Sequence, residues 1–296
     1  MIKRMARAKI NLSLDVIGKL ADGYHQVEML MQSIELADVV SVRRLENVPV
    51  GTIQLTVDNE QRQDAVPADA SNLAWRAADL FLQAHPQAGG VAIAIQKRIP
   101  MAAGLAGGST DAAATLLGLY DAFHLSVDKN EAYRLGAKLG ADVPFVMQGG
   151  TMLATGRGDV LQRVPDVPNF YVVLAKPPVQ VSTPWAYAQF DREGTKEHPK
   201  TQKMLTAIRQ GDRNGIRAAL CNVLEHVTIK AHGEVAALKQ AMAASSGMPA
   251  VMSGSGPTVF CLLDDEATAQ RTAETLRTHF ADATILVTRT AKAVEP

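Results

Sequence analysis

From Lys9 to Val16, polar and apolar residues alternate strictly. Ile10, Leu12, Leu14 and Val16 share one face of a predicted strand, and Lys9, Asn11, Ser13 and Asp15 share the other. Lys9 and Asn11 therefore project from one face, a pleat apart, in a pattern that a solvated polar face also gives. Asp22-Gly23 is a hairpin-turn signal, and Tyr24 and His25 follow it, where functional side chains collect. Strands are predicted over Gln32 to Arg44 and Thr52 to Val57, the second with Ile53, Leu55 and Val57 inward. Gln61 to Ala70 is polar and carries Pro67, which predicts a loop. Ser71 to Phe81 has the helical period, with Leu73, Ala77, Leu80 and Phe81 as its buried stripe and Ser71 or Asn72 as cap.

The predicted strand Val91 to Lys97 feeds through Arg98-Ile99 into a loop of small residues, Pro100-Met-Ala-Ala-Gly-Leu-Ala-Gly-Gly-Ser-Thr110. A helix follows to about Phe123. Gly104, Gly107 and Gly108 let the backbone turn sharply and approach a ligand; Ser109 and Thr110 are N-cap types, and Asp111 falls in the first turn. A helix entered this way points free N–H groups and its positive dipole end into the loop, an anion site suited to a phosphate. It is not a Walker A loop, because no Lys follows Gly108, and its glycines do not fall as G-x-G-x-x-G. Such stretches also occur where backbones merely pack closely. The next helix, Lys129 to Leu139, is stopped by Gly140. Asp142, between that glycine and Pro144, lies on a sharp turn, a place that structural Asp residues also occupy. Gly149-Gly150 and Gly156-Arg-Gly158 are turns around a short strand near Met152.

Near residue 160 the pattern changes. Tyr171-Val-Val-Leu-Ala is a strand, and Val179 to Tyr187 is a strand-to-helix turn with Ser182 or Thr183 as cap and Pro184 in the first turn. Asp191 to Gln202 is charged and carries Pro199, which predicts an exposed loop. Helices are predicted at Gly215 to Glu225 and Gly233 to Ala243. A second glycine loop, Ser253-Gly-Ser-Gly256, precedes the strand Thr258 to Leu263; the helix Glu266 to His279 and the strand Ala283 to Thr288 complete a β-α-β unit. The second half therefore reads as an α+β domain with helices on one face of a sheet.

The 296 residues are too many for most single cores, so two units, 1–160 and 161–296, are expected. Lys plus Arg and Asp plus Glu are both 30, and this balance points to no nucleic-acid partner. No apolar stretch approaches the ~18 residues of a membrane span. The basic Met1 to Arg7 is followed by Asn11, Ser13 and Asp15, so no signal peptide is expected. Two cysteines, Cys221 and Cys261, make no disulfide framework; Cys261 lies in an apolar run, and a reducing cytoplasm is the simplest setting.

Lys9 and Asn11 on a strand, the loop Pro100 to Thr110, Gly140-Ala-Asp142-Val-Pro144 and Ser253-Gly-Ser-Gly256 together resemble the GHMP small-molecule kinases. Ala8-Lys-Ile-Asn-Leu, Asp22-Gly-Tyr-His25 and Gly140-Ala-Asp-Val-Pro-Phe are more specific. They are similar to the branch that phosphorylates a hydroxyl of a cytidine-diphosphate-linked sugar alcohol, giving a 2-phosphate, on the non-mevalonate route to isoprenoid precursors. The resemblance runs nearly the whole length. It implies an α+β, two-domain GHMP kinase fold: an ATP-binding N-terminal domain like the second domain of ribosomal protein S5, a ferredoxin-like C-terminal domain, and an active site in the cleft between them. It implies that Pro100, Met101, Ala102, Ala103, Gly104, Leu105, Ala106, Gly107, Gly108, Ser109 and Thr110 cradle the ATP phosphates, with Ser109 helping to hold Mg²⁺ and with Lys97 and Asn72 near the nucleotide. Asp142 matches the catalytic base and Lys9 its partner; Asn11, Tyr24, His25, Thr183 and Tyr187 match substrate-binding positions, with cytosine between the rings of Tyr24 and Tyr187. The implied enzyme is a monomer or homodimer. The alternatives are a GHMP kinase for another alcohol, such as homoserine or mevalonate, and a paralogue that binds nucleotide without turnover. Ala102, Ala103 and Ala106 stand where other members have glycines, and alanine there calls for negative φ. Met31 replaces a Phe that some members carry near the cytidine, and Ala188 a Lys.

Overall fold

The alternating stretch is the middle of one long strand. In the computed structural model, which describes residues 1–59 and 66–293, β1 spans Ile2–Lys19. Its polar face is not solvated: Lys9, Asn11, Ser13 and Asp15 are all buried. The Asp22-Gly23 turn closes as expected, with Gly23 N–H donating to the Leu20 carbonyl (3.0 Å), and β2, His25–Leu45, begins seven residues ahead of the predicted strand. β3 (Ile53–Asn59) follows; of the predicted loop Gln61 to Ala70, residues 61–65 lie outside the described residues.

Asn72, not Ser71, caps α1 (Leu73–Ala84), its Oδ1 accepting from Ala74 N–H (2.9 Å). β4 (Gly90–Lys97) leads through the glycine loop into α2 (Gly107–Ala122), and α3 (Lys129–Leu139) ends at Gly140 as the sequence predicts. α4 (Val143–Gln148) is a further helix where a turn was expected. Its flanking glycines and Pro144 read as turn signals, yet proline is compatible with a first helical turn. β5 (Thr151–Thr155) and β6 (Val160–Arg163) form a hairpin.

The rest of the chain is β7 (Tyr171–Lys176), α5 (Thr183–Glu193), α6 (Thr201–Gln210), α7 (Arg213–Ala218), β8 (Cys221–Asn222), α8 (Glu225–Ala231), α9 (Gly233–Ser246), β9 (Ala250–Met252), β10 (Val259–Leu263), α10 (Glu266–His279) and β11 (Thr284–Arg289). The predicted helix Gly215 to Glu225 is split. Asn222 donates to the carbonyls of Met252 (2.7 Å) and Gly254 (2.8 Å) and accepts from Leu224 N–H (3.0 Å), so its backbone is drawn into a bridge with β1. The predicted strand at Val179 is absent, and α5 and α6 cut the charged loop back to residues 194–200.

β3-β4-β2-β1-β8 lie side by side in the first sheet, with β5 and β6 continuing from β2. α1 and α2 cover one face through Phe81, Leu116, Leu119 and Tyr120, and α3 packs on these helices. The second sheet runs β11-β7-β10-β9, wholly antiparallel, which is the fourth-first-third-second order of a ferredoxin-like unit. One apolar cluster joins Ile10, Leu12, Leu30 and Ile34 of the first sheet to Phe170, Val172, Leu174 and Phe260 of the second. This shared core holds the two sheets together, and α5 and the second glycine loop then line one side of a cleft. Among the described residues, no helix is long and apolar enough to cross a membrane.

Candidate active site

The cleft has a volume of about 880 Å³. Of the residues predicted for the site, Lys9, Asn11, Tyr24, His25, Asn72, Lys97, Pro100 to Gly104, Ala106 to Ser109, Asp142, Thr183 and Tyr187 all line it. Leu105 and Thr110 do not: both are buried behind the loop, the Thr110 hydroxyl donating to the Gly107 carbonyl (2.7 Å).

Neither Ser109 nor Thr110 is the cap of α2. Ala106 occupies that position without a side-chain bond, and the first intrahelical bond is Thr110 N–H to Ala106 C=O (2.9 Å). The N–H groups of Gly107, Gly108 and Ser109 precede the helix's own hydrogen bonds, an arrangement that can receive an anion. The expectation of negative φ at the loop alanines fails at two of three. Ala102 (φ 47°) and Ala106 (φ 62°) are left-handed, a region that alanine avoids. Gly104 (φ 72°) admits no other residue, since a Cβ there would overlap the Ser253 carbonyl oxygen. Ser253 Oγ donates to Gly104 C=O (3.0 Å) and Lys9 N–H to Leu105 C=O (3.2 Å), so the second glycine loop and β1 brace the apex.

Across from the loop, Lys9 Nζ stands 3.8 Å from Asp142 Oδ2. Lys9 also donates to Asn11 Oδ1 (2.5 Å), and Asn11 Nδ2 donates to Met29 Sδ (3.2 Å), which fixes the amide's orientation. Asp142 opens α4 in a helical conformation rather than on a free turn, and its carboxylate caps no backbone group. A buried ammonium so held offers charge to an incoming anion.

At the other end, the His25 and Tyr187 rings meet at 4.6 Å between centroids. His25 Nε2 lies 2.6 Å and Lys19 Nζ 2.7 Å from Asp191, whose carboxyl is held below the usual range by hydrogen bonds from Lys19 and His25. Burial pushes the Tyr187 hydroxyl pKa well up, and the Asp142 charge adds to it. Tyr24 is 60% exposed at the mouth, and Arg157 lies 4.7 Å over its ring. The ring packed on Tyr187 is therefore that of His25, not Tyr24. Thr183 Oγ1 is 2.9 Å from Ser255 Oγ. Met31, expected near the nucleoside, is buried in the core away from the cleft, whereas Ala188 lines it.

The sequence reading missed a buried trio behind the loop. Lys97 Nζ pairs with Asp38 and with Asp111 (2.8 Å). Asp38 also accepts from the N–H groups of Arg98 (2.5 Å) and Ile99 (2.8 Å), so its charge is met by three donors. Asp111 is less well supplied: its Oδ1 is buried without a hydrogen bond. Burial, more than the Asp38 charge beside it, pushes the Asp111 carboxyl up to about 8 against the pull of Lys97. Burial alone would lower the Lys97 pKa, and the two carboxylates together raise it. Asp191 was missed as well, since the sequence reads it as part of an exposed loop.

Two family descriptions match this chain: GHMP kinases N terminal domain over residues 72–150 and GHMP kinases C terminal over residues 204–282. The chain is 42% identical to the 4-diphosphocytidyl-2-C-methyl-D-erythritol kinase of Lachnoclostridium phytofermentans, over 91% of this chain and 90% of that one. It is 46% identical to the enzyme of the same name from Geobacillus thermodenitrificans, over 92% and 91%. The chain belongs to the 4-diphosphocytidyl-2-C-methyl-D-erythritol kinase family. A crystal structure of a 4-(cytidine 5'-diphospho)-2C-methyl-D-erythritol kinase superposes with a TM-score of 0.80 at 33% identity, covering 98% of this chain and all of that one. Within this kinase, the first matched segment runs from the Asn72 cap through the glycine loop and Asp142 to Gly150. Lys9, Asn11 and the Asp22 to His25 turn lie outside both segments.

Proposed function

We propose that this kinase transfers the γ-phosphoryl group of ATP to a hydroxyl of 4-diphosphocytidyl-2-C-methyl-D-erythritol, giving the 2-phosphate on the non-mevalonate route to isoprenoid precursors. The observation that carries the proposal is the Lys9–Asp142 pair facing an uncapped helix N-terminus across one cleft. Phosphoryl transfer asks mainly for positioning and charge neutralisation. The loop N–H groups of Gly107 to Ser109 receive the nucleotide phosphates. Asp142 accepts the proton of the attacking hydroxyl, and Lys9, steadied by Asn11, stabilises charge on the transferring group. His25, Tyr187 and Thr183 hold the cytidine end, with Tyr24 closing the mouth. Asn72 and Lys97 stand on the nucleotide side. Their polar atoms also serve the fold, in the α1 cap and the buried trio.

Ser109 lines the cleft with a hydroxyl and Asp142 lines it with a carboxylate, oxygen donors of the kind that Mg²⁺ takes. With the nucleotide phosphates, Mg²⁺ held by these oxygens would supply charge neutralisation to the reaction. Residues 1–160 supply the nucleotide side, and 161–296 the second wall. This reading includes a monomer or a homodimer acting on a small molecule, without a nucleic-acid or membrane partner. Two free cysteines suit a cytoplasmic setting.

The test is ATP turnover by the purified chain with the cytidine diphosphate substrate, mevalonate and homoserine side by side. Turnover with the first alone is expected. Preference for either other alcohol would overturn the substrate, and no turnover with any would point to a binding protein.

A further inference from the structure

We propose that Asp38 is a positioning residue for the nucleotide loop, tying the chain that enters the loop to the helix that leaves it. Asp38 lies on β2, has no exposed surface, and is far in sequence from the loop. Its Oδ1 accepts from the backbone N–H groups of Arg98 (2.5 Å) and Ile99 (2.8 Å), the two residues ahead of Pro100. Its Oδ2 accepts from Lys97 Nζ, the last residue of β4. Lys97 in turn donates to Asp111 Oδ2 (2.8 Å), in α2 just beyond the loop. One carboxylate thus holds the entry directly and the exit through a single ammonium.

Stability alone is a weak reason to bury two carboxyl groups around one ammonium, because apolar side chains of the same size serve a core at least as well. The bridge does have something to hold. Ala102 and Ala106 both sit at positive φ inside the span it closes. An L-residue with a Cβ leaves that region when its surroundings let it. Ala106 is also the residue whose carbonyl takes the first bond of α2, so its φ sets where the N–H groups of Gly107, Gly108 and Ser109 point. With the bridge cut, Ala102 and Ala106 relax and the N–H groups turn from the phosphates. Lys9, Asp142 and His25 have no bond to the trio and stay in place.

This inference rests on the proposal that the loop holds ATP. The experiment measures ATP affinity by calorimetry, together with kcat and both KM values, for the full chain and for Asp38→Asn. Asp38→Asn is expected to weaken ATP about tenfold while KM for the cytidine substrate moves less than about twofold. Adding Ala102→Gly and Ala106→Gly to Asp38→Asn is expected to recover most of the ATP affinity, since glycine holds positive φ without a clamp. A merely structural role would give the opposite, because two added glycines loosen a chain already destabilised. Unchanged ATP affinity in Asp38→Asn, or a loss that the glycines do not recover, overturns the inference. If Asp38→Asn does not fold, Asp111→Ala removes the acceptor at the far end of the same bridge and is judged by the same pattern. Gly108→Ala separates the two readings. If it leaves ATP affinity untouched, the loop does not hold phosphate; if it weakens ATP while Asp38→Asn does not, only the clamp fails.

Discussion

Lys9 Nζ is shared between Asn11 Oδ1 at 2.5 Å and Asp142 Oδ2 at 3.8 Å, so the amide one pleat away decides where the ammonium stands. Replacing Asn11 with Leu keeps the branched shape of the side chain and removes the acceptor. The buried ammonium then loses its nearest partner and drifts from the transferring group. Asn11→Leu is expected to lower kcat by about a hundredfold, within the range for a lost charge-stabilising contact. Steady-state kinetics with ATP varied would check it, with KM for ATP nearly unchanged. A normal kcat would remove Asn11 from the mechanism.

Gly108 is the loop position where a methyl group has room in the protein. A Cβ there meets only Leu73 Cδ1, at 3.4 Å, whereas at Gly107 it would press on Ile99 at 3.1 Å. Gly108→Ala should therefore fold as well as the parent and gain helix propensity. Facing the cleft, the added methyl keeps phosphate from the N–H groups. ATP affinity is expected to fall about tenfold, equivalent to ~1.4 kcal/mol. Melting curves without ligand should match the parent. Calorimetry with ATP checks the first part, and an unaltered affinity would show that phosphate sits elsewhere.

Stacking gives affinity for any base, while choice requires its edge to be read. Tyr187→Phe keeps the ring and is expected to change little. Tyr187→Ala should raise KM for the cytidine substrate by roughly tenfold, with KM for ATP steady. His25 Nε2 faces Asp191, so Asp191→Asn should also raise that KM and lower discrimination between cytidine and uridine substrates. Comparing kcat/KM for the two nucleotides across the three variants tests this division.

Asp191 also carries a pH dependence. Its carboxyl is depressed in the folded chain by Lys19 and His25, so the unfolded chain binds its proton more readily. The stabilisation is complete above the ordinary carboxylate range and disappears as pH falls through the depressed value, below about pH 4. Acid titration of stability should therefore show a shallower low-pH limb in Asp191→Asn than in the parent.

Much of this architecture could be read from the chain, and the exceptions have physical causes. α3 matched because its stop, Gly140, is local; its start is local too, the Asp128 side chain accepting from Asn130 N–H (2.9 Å), a cap not singled out from the sequence. The alternation in β1 showed which residues share a face but not that both faces are covered: Ile10 and Leu12 pack on the second sheet, while Lys9 lies beside Asp142 and Asp15 beside His198, all distant in sequence. The loop alanines misled because φ at Ala102 and Ala106 is set by bonds from Asp38, Ser253 and Lys9 rather than by intrinsic preference. Asp38 itself gave no signal: an acidic residue within a predicted strand looks solvated until its three donors are known. Beyond the glycine loop, the cleft residues were legible only through family resemblance, because strand, loop and helix meet there through the fold alone.

The most direct measurement is single-turnover phosphoryl transfer by Asp142→Asn with ATP and the cytidine diphosphate substrate prebound. The amide keeps the shape of the carboxylate and cannot take the hydroxyl proton. The expected result is a transfer rate about a thousandfold below the parent, with ATP and substrate affinities within about threefold. Transfer at the parent's rate would contradict the account, leaving Asp142 as no more than the residue that opens α4.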